Sequence, residues 1–351
     1  MKSRIIDALP PPQFVVQFPH PGREHNPGNV PRQPWNTGEH RRKFLQCNGR
    51  YVAEDGLLAD GPLVFWGEWE APSIVKEKRW VKQGSLPRFL HVPVWERPVT
   101  WGRRQNTDPW VFGDSFRFSN CRQLTRQRNR SALQKLTPGS MILFGSTIGD
   151  SFVVDTVFVV KDACPFSPGE PPETDEAFRV CTLEPIKKGY APTDPLTLFR
   201  GATYEAPING MYSFVPCRRA DADDVRFARP SISLPGCVSP KRWRSAYGAK
   251  IPRFAADVRE QWEKVRKQVL DAGCLLGLQF STPQLDQHST EDKRADNFGL
   301  SGHHDSRITR TGERTSRSSG RPLDTKPTCG GRDRREDRMR RQKPRPARRC
   351  Y

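Results

Sequence analysis

The chain has 351 residues, of which 33 are Pro and 27 are Gly, and 35% are hydrophobic. This composition excludes a helical bundle, a coiled coil and a multi-pass membrane protein, and it favours a loop-rich fold of short strands. Lys and Arg number 58 against 39 Asp and Glu, which gives a net charge of +19. Such an excess attracts polyanions, so RNA or DNA is the expected partner, ahead of an anionic membrane surface.

The cysteine pattern and the hydropathy pattern indicate the compartment. Nine Cys are scattered along the chain without a Cys-x-x-Cys pair, which favours reduced thiols. The first residues hold no apolar stretch long enough for a secretory signal. The most apolar run, 152–160, contains Asp155 and is too short to span a bilayer. We therefore predict a cytoplasmic protein with no membrane partner.

Composition along the chain predicts an α+β fold rich in strands, in three parts. Residues 1–42 are rich in Pro, Gly, Asn and Arg, and we expect an irregular N-terminal arm. Residues 43–282 are the β-rich core, with sub-halves 43–120 and 121–282 as a further option. In 283–351 large apolar residues are too sparse to offset the entropy of ordering, which predicts a disordered basic tail.

The N-terminal arm carries residues that suit an anionic ligand. Arg41 and Arg42 can contact phosphate or another anion. The arm and the start of the core also hold three histidines and a cysteine, His20, His25, His40 and Cys47. No known zinc spacing fits this set. We therefore interpret the arm as a mixed surface or an active-site arm, and we predict no metal there.

A tryptophan-rich stretch provides candidate base-stacking rings. In the segment Phe-Trp-Gly-Glu-Trp-Glu, 65–70, a strand would place Trp66 and Glu68 on the same face. An aromatic ring can stack on a base while a neighbouring carboxylate accepts from its amino edge. We predict that Trp66 or Trp110 stacks on a base and that Glu68 reads its edge. Asn106 is a second candidate edge reader, although residues of its type are also good turn formers.

A run of arginines predicts a phosphate-binding helix. Residues 122–135 contain no Asp or Glu, and Arg122, Arg126 and Arg130 follow the spacing i, i+4, i+8. A helix would place these three guanidinium groups on one face, where they could contact a nucleic-acid backbone. The alternative is a helix face that is only solvated.

Two segments share a pattern typical of short buried strands. Residues 58–67 and 136–145 each have a Gly-containing turn, a run of apolar residues, an aromatic residue and a second Gly. The pattern suits an internal repeat, but it is also common in unrelated β proteins. The second copy continues into the apolar run 152–160, so residues 137–163 predict two strands joined as a hairpin.

The second copy resembles the strand pair of the PUA-like barrels, including the ASCH and EVE groups. The matching positions are Pro138, Gly139, Ser140 and Met141–Phe144, followed by the run 152–160. Ser140 stands where the family pattern has an acid. The resemblance implies one or two small β-barrels that bind RNA or a modified base, and it implies no catalysis.

Two further segments have strong local signals. In 199–214 the pair Asn209-Gly210 predicts a hairpin turn, and Arg200 before a Gly could approach a phosphate, although a purely structural hairpin explains the segment too. Residues 252–273 predict an amphipathic helix that packs on a sheet. Its apolar stripe is Phe254, Val258, Trp262, Val265 and Val269.

These observations leave three functional hypotheses open, and one of them is a structural or partner-binding protein, which predicts buried tryptophans and a covered basic helix. The first is a non-catalytic protein that binds nucleic acid or a modified nucleotide without a cofactor. The alternative is a metal-dependent nuclease or nucleotide-modifying enzyme that uses Glu68, Glu70 and Asp155 with Mg²⁺. The sequence has none of the common hydrolase, nucleotide-binding or metalloprotease motifs. The alternative therefore requires that these three carboxylates converge within metal-bridging distance.

Overall fold

Strands are the main regular structure of the protein, as the composition predicts. The computed structural model describes residues 11–79, 86–97, 102–242 and 246–286, and all of them belong to one compact unit, Met1–Ser289. Within these ranges, no helix is long and apolar enough to cross a membrane.

Short strands alternate with loops along the chain, and one long helix lies near the end of the core. The strands are β1 (Val15–Pro19), β2 (Arg32–Gln33), β3 (Arg42–Val52), β4 (Leu58–Glu68), β5 (Ser73–Lys78), β6 (Phe89–Trp95), β7 (Arg117–Phe118), β8 (Met141–Ile148), β9 (Ser151–Phe166), β10 (Leu196–Gly201), β11 (Val215–Arg219), β12 (Leu275–Phe280) and β13 (Gln284–Leu285). The helices are a 3₁₀ turn (Ala132–Lys135), α1 (Glu176–Phe178), a π-helical turn (Arg179–Leu183), α2 (Glu184–Ile186) and α3 (Ala255–Asp271).

The first sheet has the strand order β1-β8-β9-β10-β7. Its centre is the predicted hairpin, because β8 pairs antiparallel with β9 through a tight turn between Ile148 and Ser151. Strand β1 lies parallel to β8, with Val15 opposite Met141, and all five of its residues are buried. The expectation of an irregular arm is therefore wrong for this part of 1–42. The apolar residues of β1 add an edge to the first sheet despite the surrounding prolines.

The second sheet has the order β12-β11-β4-β3-β6-β5-β2, and β13 pairs with β6. Strand β12 pairs with both β11 and β3, so β3, β4, β11 and β12 form a cycle of pairings. Both sheets take strands from both sides of residue 120, so the sub-halves 43–120 and 121–282 do not correspond to separate sheets. The mixed sheets are the observed architecture, and the PUA-like barrel stays a prediction.

The long helix α3 has the predicted apolar stripe with one exception. Val258, Trp262, Val265 and Val269 are buried. The Trp262 indole also donates a hydrogen bond to the carbonyl of Tyr212 at 3.0 Å. Phe254 is 78% exposed, because it is the extended N-cap residue before the first helical turn and does not share the direction of the stripe.

The predicted basic helix does not form. Leu124 and Arg130 pair across a short loop, and only Ala132–Lys135 is helical, as one 3₁₀ turn. Arg122 and Arg128 adopt φ angles of 58° and 59°, which a right-handed helix cannot include. The three arginines at i, i+4 and i+8 therefore share no helix face.

Two local predictions near the ends of the core have different outcomes. Asn209 and Gly210 form the predicted turn, with φ angles of 52° and 79°. The backbones of Ile208 and Met211 exchange two hydrogen bonds across it. The predicted boundary at residue 283 is too early, because β13 pairs with β6. The rest of the predicted tail, 287–351, lies outside the described residues.

Candidate active site: a buried charge cluster

A set of buried or half-buried charged side chains connects the two sheets. We call it the Glu68 cluster, and its members are His20, His40, Arg42, Glu68, Glu70, Asp155 and Arg229. Strand β3 supplies Arg42, strand β4 supplies Glu68, and β9 of the first sheet supplies Asp155. The pairing of β3 with β4 places Arg42 opposite Glu68, and Asp155 joins them from the other sheet.

Arg42 is at the centre of the Glu68 cluster. Its Nη1 lies 2.6 Å from Oε2 of Glu68, and its Nε lies 2.9 Å from Oδ2 of Asp155. Nδ1 of His20 lies 3.1 Å from the same Oε2 of Glu68. One guanidinium group therefore neutralises a carboxylate on each sheet, and a histidine adds a second contact to Glu68.

Arg229 provides the second cation for Asp155. Its Nη1 lies 3.4 Å from Oδ1 of Asp155 and donates to Oγ of Ser146 at 2.9 Å. Its guanidinium carbon lies 5.1 Å from the ring centroid of Trp66, in a cation–π contact. The Trp66 indole donates to the carbonyl of Phe227 at 2.9 Å. Trp66 therefore holds Arg229 in place and is itself hydrogen-bonded.

Glu70 and His40 extend the cluster towards the solvent. Nδ1 of His40 lies 2.9 Å from Oε1 of Glu70 and 3.3 Å from Oε1 of Glu68. The Asn36 amide donates to Oε2 of Glu70. The backbone N–H of Glu70 donates to Oγ1 of Thr107 at 3.0 Å. The His40 side chain is 20% exposed, whereas that of Glu70 is 1% exposed.

The charges of the cluster set the protonation of its members. Burial acts to raise the pKa of Glu68, but His20, His40 and Arg42 hold it well below its ordinary value. Burial acts to lower the pKa of His40, but Glu68 and Glu70 raise it to about 11. Burial lowers the pKa of His20 to about 4. At neutral pH, Glu68 is therefore ionised, His40 carries a proton that Glu68 and Glu70 share, and His20 is neutral.

The loop 105–121 is fixed beside the cluster by Asp108. The buried Asp108 carboxylate accepts backbone N–H groups of three consecutive residues, Ser119, Asn120 and Cys121, at 2.8–3.0 Å. Burial outweighs these bonds and raises the pKa of Asp108 to about 6. The Asn106 amide donates to Oδ1 of Asn120 at 3.0 Å. Polar residues expected to form turns here therefore also bring Asn106 close to the charged site.

A small cavity adjoins the cluster. It has a volume of about 10 Å³ and is lined by His20, Arg42, Trp66, Glu68 and Asp155, among others. A space of about 10–15 Å³ holds about one water molecule. The cavity therefore fits a water molecule or a small ion, and it is too small for a nucleobase.

The structure brings together part of the predicted site. Arg42, Trp66, Glu68 and Asp155 line the same cavity. Glu70 joins them through His40, which contacts both Glu68 and Glu70. Two of the three carboxylates of the enzyme hypothesis therefore lie around one histidine. Asp155 contacts Arg42 and Arg229 instead and reaches Glu68 only through Arg42. The expectation that all three carboxylates converge is therefore wrong for Asp155, and His40 is the side chain that groups with Glu68 and Glu70.

Neither of the tryptophans predicted to stack on a base has an accessible ring face. Trp110 is fully buried against Trp69, Phe112 and Phe178, so its ring offers no face for a base. The ring of Trp66 is similarly covered, by Arg229 and by Phe44, and the residue is 4% exposed.

The predicted phosphate-binding arginines have separate positions. Arg200 is exposed and pairs with Asp162 at 2.7 Å, and Arg41 pairs with exposed Glu39 at 3.0 Å. Arg126 and Arg130 are exposed on the short loop. Arg122 is half-buried, with its guanidinium 6.0 Å from the ring of Phe18. These arginines therefore do not form one ridge.

Sequence reasoning missed four important contributors, which are His20, Asn36, His40 and Arg229. His20 directly follows β1, and Asn36 and His40 precede β3. Both histidines belong to the predicted N-terminal arm, where their spacing fits no known zinc site. Nothing in the sequence indicates that His40 contacts carboxylates some 30 positions away. No local pattern marks Arg229 as the partner of Asp155.

The cluster combines buried carboxylates with buried or half-buried cationic and histidine side chains. Buried ionisable groups with strongly shifted pKa values concentrate at functional sites, where they act as acids, bases or metal ligands. Comparisons of the chain with protein-family models, with curated proteins and with solved structures found no match.

Proposed function

We propose that the protein is an enzyme that hydrolyses or modifies nucleic acid, with the Glu68 cluster as its reaction centre. The observation that carries this proposal is the convergence of His40, Glu68 and Glu70, whose ligand atoms all lie within 4.8 Å of one another. Such a group can activate water as a base or hold a cation that does so. Neither role requires the aromatic stacking that the burial of Trp110 opposes.

The division of roles within the cluster follows from the contacts. Both oxygens of Asp155 face cations, since Oδ2 meets Arg42 and Oδ1 meets Arg229. Asp155 is therefore assigned to the positioning of Arg42. Glu68 and Glu70 share the proton on His40 and lie towards its partly exposed side. These two carboxylates are assigned to the reaction.

The substrate class is proposed from charge and position. The chain carries a net charge of +19, and residues 122–135 expose Arg126, Arg130 and Lys135 without a single acid. This segment starts next to the cluster, because Cys121 binds Asp108 and the Arg122 guanidinium contacts the ring of Phe18. A nucleic acid whose phosphates contact this segment would lie close to the buried carboxylates.

The test is turnover by the full chain. Labelled single-stranded RNA, single-stranded DNA and duplex DNA are each incubated with the protein and with Mg²⁺ or Mn²⁺. We expect product from at least one substrate and a loss of about 100-fold or more in Glu70→Gln. Glu39→Gln is the matched control, because Glu39 is an exposed carboxylate on the same arm that pairs with Arg41.

Two results would overturn the proposal. One is the absence of any product with all three nucleic acids, and the other is full activity in a folded Glu70→Gln protein.

A second candidate is binding of nucleic acid without turnover. It is favoured by the exposure of Arg126 and Arg130, and the resemblance to PUA-like barrels would imply RNA or a modified base as the ligand. Retention of nucleic acid that depends steeply on salt, without product, would support this candidate over the enzyme.

A further inference from the structure

We infer that His40, Glu68 and Glu70 bind one divalent transition-metal ion, with Nδ1 of His40 and Oε1 of each glutamate as ligands. The inference deepens the proposed function, because it names the cofactor of that centre. It is tested by metal binding rather than by turnover, so the two can fail separately.

Two of the three separations between the ligand atoms are already close to coordination geometry, and all three ligand atoms lie within 4.8 Å of one another. Nδ1 of His40 lies 2.9 Å from Oε1 of Glu70 and 3.3 Å from Oε1 of Glu68. Metal bonds of about 2.0–2.2 Å place neighbouring ligand atoms about 3.0–3.5 Å apart. Coordination would therefore require small movements of the side chains.

The outer oxygens of both glutamates are held by other groups. Oε2 of Glu68 contacts Arg42 at 2.6 Å and His20 at 3.1 Å. Oε2 of Glu70 accepts from the Asn36 amide. These contacts turn the two Oε1 atoms towards His40, and fixing of ligands by outer partners is typical of metal centres.

One proton on His40 cannot satisfy both carboxylate oxygens that face it. Nδ1 of His40 carries at most one proton, but it faces two carboxylate oxygens. Oε1 of Glu68 also lies 3.5 Å from the backbone nitrogen of Asp108, which is a long hydrogen bond. The Glu68 side chain is 3% exposed, so it is largely shielded from bulk solvent. A metal ion in place of the shared proton would satisfy all three ligand atoms at once.

The donor set selects the class of metal. Mg²⁺ and Ca²⁺ prefer sites made only of oxygen ligands, whereas one imidazole with two carboxylates suits Mn²⁺, Fe²⁺ or Zn²⁺. The His40 side chain is 20% exposed, which gives an ion a path from solvent. The remaining coordination positions would be open to water or substrate.

The experiment uses the full chain, treated with a chelator and then titrated with Mn²⁺. Electron paramagnetic resonance should show saturable binding of about one Mn²⁺ per chain, and its pulsed form should show coupling to one imidazole nitrogen. Mn²⁺ is chosen because it binds thiols weakly, and the chain has nine Cys. Mg²⁺ at equal concentration should not displace it.

Three variants assign the site. His40→Ala should abolish the nitrogen coupling, and Glu70→Gln should weaken binding by about tenfold or more. His25→Ala is the matched control, because His25 lies on the same arm but contacts Gln33 at 3.0 Å, and it should bind Mn²⁺ as the parent does. Circular dichroism checks that each variant is folded. The nitrogen coupling is measured on the unsubstituted protein, so this part of the test does not depend on the folding of any variant.

The inference is overturned if the unsubstituted protein shows no saturable Mn²⁺ binding, if its bound Mn²⁺ shows no nitrogen coupling, or if both folded site variants bind as the parent does. Saturable Mn²⁺ binding with nitrogen coupling but without turnover of nucleic acid would support the metal site and contradict the proposed function. Turnover that persists unchanged after chelation would support the proposed function and contradict the metal site.

Discussion

Arg42 and Glu68 lie directly opposite each other on neighbouring strands, and their 2.6 Å ion pair is almost completely buried. The same guanidinium group contacts Asp155 on the other sheet at 2.9 Å. Buried charges are costly unless each has a partner, so the loss of one member affects the others. The packing of the two sheets and the state of the candidate site therefore depend on the same residue.

Arg42→Met should strongly destabilise the protein. It leaves Glu68 and Asp155 buried with fewer cations, and removing one partner of a buried pair typically costs about 3–5 kcal/mol. Urea unfolding measures the change in the free energy of unfolding. Arg42→Met/Glu68→Gln should recover part of the loss, because the uncompensated carboxylate is removed.

Arg50→Met is the control for this comparison. Arg50 pairs with Asp60 across the same two strands, but both side chains are substantially exposed. Exposed pairs contribute little, so the stability should hardly change. An Arg42→Met protein as stable as Arg50→Met would contradict the central role of Arg42.

Lys43 should make stability depend on pH in the alkaline range. Lys43 is buried and donates to Oγ of Ser73 at 3.1 Å, next to buried His91. Burial, opposed only by the charge of Glu70, lowers its pKa to about 8 from 10.5. Between these values the unfolded chain binds a proton that the folded protein does not, so stability should increase as pH rises from 8 to 10.5.

The measurement compares the unsubstituted protein with Lys43→Met in urea at several pH values. The difference between their free energies of unfolding should shift in favour of Lys43 by up to about 3 kcal/mol. Other alkaline titrations affect both proteins and cancel. Parallel stability curves across this range would show that Lys43 has an ordinary pKa.

Arg126→Glu/Arg130→Glu should weaken retention of nucleic acid at low salt. Both side chains are exposed, so reversal of their charges should leave the fold intact. If each contacts one phosphate, the slope of log affinity against log salt should fall by about 0.9 for each contact with duplex DNA. Filter binding at several salt concentrations gives this slope. Unchanged retention would exclude the segment 122–135 as the contact surface.

Substitutions of Trp110 should lower the stability of the protein and should not change its affinity for nucleic acid. Trp110 is fully buried among aromatic rings, and truncation of such a residue to Ala costs about 3–5 kcal/mol. Trp110→Phe keeps more of the packing and should retain nucleic acid with unchanged affinity. A specific loss of affinity in folded Trp110→Phe would revive the stacking role predicted from sequence.

The sequence predicted those features that depend on neighbouring residues. The hairpin of β8 and β9 follows from two apolar runs around a turn, and the stripe of α3 follows from helical spacing. The turn at Asn209 and Gly210 follows from the ability of these residues to adopt positive φ. In each case the signal and the structure lie within a few residues of each other.

The spacing of Arg122, Arg126 and Arg130 shows where such reasoning fails. It satisfies a helix, but hydrogen bonds of Cys121 to Asp108 and of Gln123 to Thr197 hold the segment in an irregular path. Contacts with distant residues therefore override the local preference.

The sequence by itself determined that this is a basic, strand-rich protein, because charge and composition need no folding to be read. Only the tertiary structure decided which residues form the candidate site. His20, His40, Glu68 and Asp155 come from separate strands and loops, and no local pattern shows that they meet. Contacts between the two sheets place them within a few ångströms in a buried setting. That proximity and burial create the strong electrostatic interactions on which the proposed chemistry depends.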